Sequence, residues 1–136
     1  MTPALLCLVI AITDGDTLKA RCQEQTITVR MAEIDAPEKR QAFGTRSRQH
    51  LAELCFQKQA EIQPTTKDRY GRTVARVTCN GADANMAMAR DGYAWAYTRY
   101  LTDARVAGAE LLARRERLGL WVDADPIPPW AWRRKP

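Results

Sequence analysis

Leu5 to Thr13 is almost continuously aliphatic and rich in β-branched residues, which predicts a buried strand. Asp14-Gly15 then marks a tight turn. From Thr17 to Cys22 the side chains of Leu18, Ala20 and Cys22 alternate with Thr17, Lys19 and Arg21, the pattern of the second strand of a hairpin. A turn centred on Asp14-Gly15 sets Cys7 and Cys22 in matching register across that hairpin. After Gln23-Glu24-Gln25, a third strand is predicted over Thr26 to Ile34. It carries Ile27, Val29 and Met31 on one face and Thr28 and Arg30 on the other. Asp35-Ala36-Pro37 ends it, because proline cannot donate to a ladder.

The period then changes. Thr45 to Phe56 places Leu51, Leu54 and Cys55 at helical spacing. A short fourth strand is expected over Ala60 to Gln63. A charged loop follows from Pro64 to Arg72, and a fifth strand runs from Thr73 to Cys79, with Ala75, Val77 and Cys79 on one face. Asp83 caps a second helix running to Arg90 and stopped by Gly92, and Tyr93 to Tyr97 reads as extended. Thr102 or Asp103 caps a third helix to about Leu118, with Val106, Ala109, Leu112 and Ala113 inward and Gly119 as its stop. From about residue 124 the chain is rich in proline, tryptophan and arginine. No repeat or linker divides it, so residues 1–136 read as one domain.

At 136 residues, with 46% hydrophobic and 27% charged, the chain is long enough to bury a core and is not disordered. The apolar run from Ala4 to Ile12 is too short to span a bilayer and lacks the basic start and small-residue cleavage site of a signal peptide. It is expected to belong to a mature protein, with any leader absent or removed. A net charge of +5 suggests an anionic partner, nucleic acid first.

Four cysteines without CxxC spacing, and a single histidine, argue against a zinc site and for two disulfides. The hairpin register makes Cys7–Cys22 one candidate pair. Cys55, near the end of the first helix, and Cys79, at the end of the fifth strand, are the other candidate pair, which the pattern does not derive. His50, among polar neighbours, is expected to be solvated on the first helix.

The turns carry the chemistry. Asp16, Asp35 and Glu38 lie at bends where carboxylates and backbone oxygens can face one point, a donor set suited to Ca²⁺. Arg30 and Arg72 suit a phosphate, whose developing charge two guanidinium groups can neutralise during attack by water. With no histidine near these motifs, the base is a carboxylate or water activated by the metal, and Glu38 is the candidate. Singly, each motif is usually a turn, a strand exit or a solvated loop. In combination they are more specific.

Asp14-Gly15-Asp16-Thr17, the strand through Val29-Arg30 to Ile34-Asp35-Ala36-Pro37-Glu38, Asp68-Arg69-Tyr70-Gly71-Arg72 and Gly119-Leu120-Trp121 together resemble the staphylococcal nuclease family over nearly the whole chain. The resemblance implies an α+β, mainly β fold, a five-stranded OB-fold barrel with three helices. It also implies a calcium-dependent, sugar-nonspecific endonuclease leaving 3′-phosphate ends on DNA and RNA. By motif, Asp16, Asp35 and the Ala36 carbonyl would bind Ca²⁺, and Arg30, Glu38 and Arg72 would be catalytic. Where the family often has threonine, this chain has Ala36, which keeps a backbone ligand and removes a hydroxyl. Tyr70 resembles a tyrosine set against a terminal phosphate, and Tyr97 or Tyr100 an aromatic near the base.

The ending Pro128-Pro129-Trp130-Ala131-Trp132-Arg133-Arg134 is expected either to cover the third helix with its tryptophans or to lie along nucleic acid with its arginines. The expectation is a monomeric nuclease, secreted or periplasmic, with no membrane partner. Its rivals are a catalytically inactive binding module of the same fold, which would be expected to have lost one of these site residues, and an unrelated single-strand-binding OB module, which needs aromatics on the early strands.

Overall fold

The structure, a computed structural model, describes residues 3–134. Its strands are β1 (Leu5–Asp14), β2 (Thr17–Cys22), β3 (Gln25–Met31), β4 (Ile34–Asp35), β5 (Gln59–Lys67), β6 (Thr73–Cys79), β7 (Ala82–Asp83) and β8 (Trp95–Ala96). Its helices are α1 (Gly44–Cys55), α2 (Ala84–Arg90), α3 (Ala104–Glu116) and the single turn α4 (Pro129–Trp132). The long strands run in the order β3-β2-β1-β5-β6, and a parallel pairing of β3 with β6 closes them into a five-stranded barrel. With three main helices against it, this is the mainly β OB-type architecture expected.

Closure leaves a seam, and a buried side chain fills it. Asn85 accepts from the Val77 N–H at 2.8 Å and donates to the carbonyls of Ala32 and Ala75. The backbone groups where β3 ends are thus paired although no strand continues there. Leu18, Val29, Met31, Leu51, Ile62, Val77, Met88 and Val106 fill the interior.

The hairpin turn lies one residue later than the composition suggested. Asp14 pairs with Thr17, so Gly15 and Asp16 form the turn. Two irregularities, between Val9 and Ala11 and between Ile12 and Asp14, take up the difference. In the register of Leu8↔Arg21 and Val9↔Ala20, Cys7 still comes opposite Cys22. Both expected disulfides form, Cys7–Cys22 with Cα atoms 4.3 Å apart and Cys55–Cys79 with 5.2 Å. The second ties the end of α1 to the end of β6.

Four expectations change. β1 is not buried throughout. Cys7, Val9 and Ile12 face the core, while Leu6, 73% exposed, Leu8 and Ile10 face out. A strand on a one-layer barrel has only one covered face. The third strand stops at Met31. Glu33 takes a left-handed φ of 75°, and Ile34–Asp35 turns away to pair with Trp95–Ala96 of β8. Glu33 is itself buried and accepts from the Thr102 N–H, the Thr102 hydroxyl and the Asp103 N–H, fixing the start of α3.

β5 continues to Lys67, past Pro64. Its pairing with β1 ends at Leu5↔Ile62, so the missing proline N–H faces no strand, and the register slips between Pro64 and Thr66. Leu112 is exposed on α3, whose inner face is Val106, Ala109 and Ala113. No helix among the described residues is long and apolar enough to cross a membrane.

Candidate active site at the barrel mouth

The pairing Thr17↔Arg30 sets the β1–β2 turn beside Arg30. Arg30 is held by its own strand exit, donating through Nη1 to the carbonyls of Met31 at 2.8 Å and Ile34 at 2.9 Å. Nη2 then lies 3.3 Å from Asp35 Oδ1 and 3.5 Å from Asp16 Oδ2. Two carboxylates from segments far apart in sequence thus converge on one guanidinium group.

Asp16 is anchored at both oxygens. Oδ1 accepts from the Thr17 hydroxyl and Oδ2 from the Ala36 backbone N–H, each at 2.8 Å. Gly15 is needed here for room. A Cβ at this position would lie 2.7 Å from the Ser47 Cβ and 2.9 Å from the Ala36 Cβ. Glu38 is placed by the loop after β4. Its N–H donates to Gln41 Oε1 at 3.0 Å and its carbonyl accepts from the Gln41 N–H. Gly44 lets the start of α1 come against that carbonyl, since a Cβ on Gly44 would sit 2.0 Å from it.

Asp35 is fully buried, and its pKa is pushed up to about 6. Burial is the largest cause and the Asp16 charge adds to it. Hydrogen bonds from Arg133 and the charges of Arg30 and Arg133 pull the other way and are outweighed. Asp14 is also raised, first by burial and then by the charges of Asp16 and Glu38, with Lys39 and Arg30 opposing.

Tyr97 borders the cluster. It follows β8, its N–H donates to the Glu33 carbonyl, and its ring lies 5.9 Å from the Arg30 guanidinium. Tyr100 meets Tyr97 edge-on at 5.0 Å. Arg72 and Tyr70 are held in a separate group on the β5–β6 loop. Asp68 accepts from the Tyr70 and Arg72 N–H groups and from Arg72 Nε at 2.7 Å, while Tyr70, 68% exposed, lies under Arg72 and Arg69. Desolvation, the largest single cause, acts to raise the Asp68 pKa, and these hydrogen bonds together with the Arg72 charge more than reverse it. The parallel pairing Val29↔Thr73 brings this loop to the strand that carries Arg30, but Arg72 bonds Asp68 and not the Asp16–Asp35 pair.

The most unexpected member is Arg133. Its Nη2 lies 2.7 Å from Asp35 Oδ2, and its Nη1 lies 3.1 Å from Asp35 Oδ1 and 2.6 Å from Glu38 Oε1. The C-terminal segment folds back as one of the two expectations had it, but over Trp95 and Tyr97 as well as toward α3. Trp130 stacks on Tyr97 at 5.5 Å and meets Trp95 edge-on at 5.6 Å, in a cluster that includes Ala113. Gln41 reinforces it by donating to the Ile127 carbonyl at 2.6 Å. Sequence reasoning missed Gln41 and the inward aim of Arg133. The basic, aromatic ending was the available signal. His50 is also not a free surface group, since it bonds Asp91 at 2.7 Å and stacks on Tyr93 at 4.5 Å.

The donor chemistry fits a hard cation. All four cysteines are in disulfides and His50 is engaged away from the mouth, so the groups gathered there offer oxygen. Among the described residues no three or more acidic, histidine or cysteine side chains form a ready metal cage. A hard cation held here would take Asp16, Asp35, a backbone carbonyl and water, a set that the irregular geometry of Ca²⁺ tolerates.

Residues 28–123 match the family described as Staphylococcal nuclease homologue. The chain is 44% identical to a micrococcal nuclease of Shigella flexneri, over 93% of this chain and 79% of that protein. It is also 44% identical to an uncharacterized endonuclease of Haemophilus influenzae, over 95% and 73%. A staphylococcal-like nuclease of Arabidopsis thaliana is 36% identical over 78% of this chain and 33% of its own length. With its barrel, its motifs and these relatives in agreement, the chain belongs to the staphylococcal nuclease family.

Proposed function

We propose that this nuclease-family protein is a calcium-dependent, sugar-nonspecific endonuclease that hydrolyses DNA and RNA to 3′-phosphate ends. The observation that carries the reading is the convergence of Asp16 and Asp35 on Arg30, at 3.5 and 3.3 Å, with Glu38 on the same mouth. Asp16, Asp35 and the Ala36 carbonyl would hold Ca²⁺, which when bound polarises a phosphate oxygen and acidifies water.

Arg30, pinned by two backbone carbonyls, binds an equatorial phosphate oxygen without having to be ordered first. Arg72 approaches the same phosphate from the β5–β6 loop, exchanging its Asp68 contact. Glu38, about a third exposed, takes the proton of the attacking water. Tyr97 and Tyr100 offer stacking faces to a base, and Tyr70 a hydroxyl to a terminal phosphate. The protein acts as a monomer in a secreted or periplasmic setting, which the two disulfides support.

The test is Glu38→Gln. Its turnover on denatured DNA should fall about 100-fold or more, while DNA affinity changes by less than about threefold. An equal loss in both would contradict the role of Glu38.

A further inference from the structure

We infer that Arg133 is a tethered cation that competes with a divalent ion for the oxygens of Asp35 and Glu38, so that the C-terminal segment sets the calcium affinity. This rests on the calcium reading above.

A guanidinium reaching a surface acid is ordinary, but here the acid is buried. The Asp35 side chain is 1% exposed and already contacts Arg30, yet both of its oxygens accept from Arg133, which also spans to Glu38. The placement is built rather than incidental. Gln41 clamps Ile127, Pro129 starts a helical turn, Trp130 is stacked flat on Tyr97, and Arg133 Nη2 lies 3.4 Å from the Tyr97 hydroxyl. Each of these contacts aims the same side chain at the same carboxylates.

The two occupants compete for the same oxygens. Arg30 touches Asp35 only at Oδ1, at 3.3 Å, whereas Arg133 takes Oδ1 and Oδ2 and also Glu38 Oε1. A divalent ion that takes those oxygens displaces Arg133, while Arg30 keeps its own backbone carbonyls. The arginine gives the buried Asp35 carboxylate a second charged partner beside Arg30. With Trp130 on Tyr97, the same segment also covers the aromatic face proposed to stack a base, so cation entry and substrate access are linked.

The experiment is calorimetric titration of Ca²⁺ into the full metal-free chain, as wild type and as Arg133→Gln, near pH 8. The variant should bind Ca²⁺ about tenfold more tightly. Binding that stays within twofold of wild type, or weakens, overturns the proposal. If calcium-supported digestion of DNA persists in that case, the nuclease reading stands without it; if wild type binds no Ca²⁺, both fall. Should Arg133→Gln fail to fold by circular dichroism, the wild type decides. The ¹⁵N-resolved Nε–H resonance of Arg133 should move with calcium saturation, and a resonance that stays fixed through saturation overturns the exchange.

Discussion

Asp16 accepts a 2.8 Å hydrogen bond from the backbone N–H of Ala36, stitching the β1–β2 turn to the exit of β4. This one contact makes the acidic turn and the acidic strand end into a single mouth, and Gly15 permits it by leaving room for Ser47 and Ala36. Gly15→Ala places a methyl group 2.7 Å from the Ser47 Cβ. Such overpacking should cost about 1–3 kcal/mol in urea unfolding and weaken Ca²⁺ binding by moving Asp16. Stability within about 0.5 kcal/mol of wild type, with unchanged affinity, would show that the close approach does not position the turn.

Asp35 makes the stability of the fold pH-sensitive. Its folded pKa, about 6, lies above the ordinary value of 3.8, chiefly through burial. The stability this group contributes is therefore complete below about pH 4 and is lost as pH rises through about 6. Asp35→Asn removes the buried charge. It should leave stability nearly unchanged near pH 4 and gain on wild type by something on the order of 2 kcal/mol near pH 8, without metal. Paired urea melts at the two pH values check this, and a difference of the same size and sign at both would refute the linkage.

The disulfides should account for much of the stability. Cys7 and Cys22 are 15 residues apart in the chain and Cys55 and Cys79 are 24 apart. Closing loops of that size is expected to contribute about 3 kcal/mol for each bridge. Mass spectrometry after alkylation should find no labelled cysteine until reductant is added, and reduction should lower the urea midpoint. Labelling of all four cysteines in unreduced protein would remove the bridges and the case for an oxidising compartment.

What was legible in the chain was local. Alternation at Leu18–Cys22 and Thr73–Cys79, the Asp83 and Asp103 caps and the helical spacing of Leu51 and Cys55 each depend on neighbours in sequence, and each element formed where the pattern put it. The break after Met31 was hidden because it depends on a glutamate at positive φ, held by backbone groups from Thr102 and Asp103. β5 runs beyond Pro64 only because β1 has ended opposite Ile62, a fact about a different strand.

At the mouth, Asp16, Arg30, Asp35 and Glu38 could be named from their turns. Arg133 could not be aimed, because it lies 98 residues from Asp35 and no period links the two. Arg72 shows the same limit from the other side. Its motif identified it, but the side chain is held by Asp68 apart from the Arg30 group.

In our reading, phosphodiester cleavage at this mouth depends on a hard cation held by Asp16 and Asp35. The most direct measurement is digestion of denatured DNA, and of RNA in parallel, by metal-free protein with added Ca²⁺ or with chelator. Both polymers should be degraded to 3′-phosphate ends with Ca²⁺ and remain intact with chelator. Full activity in chelator would contradict the role of the cation.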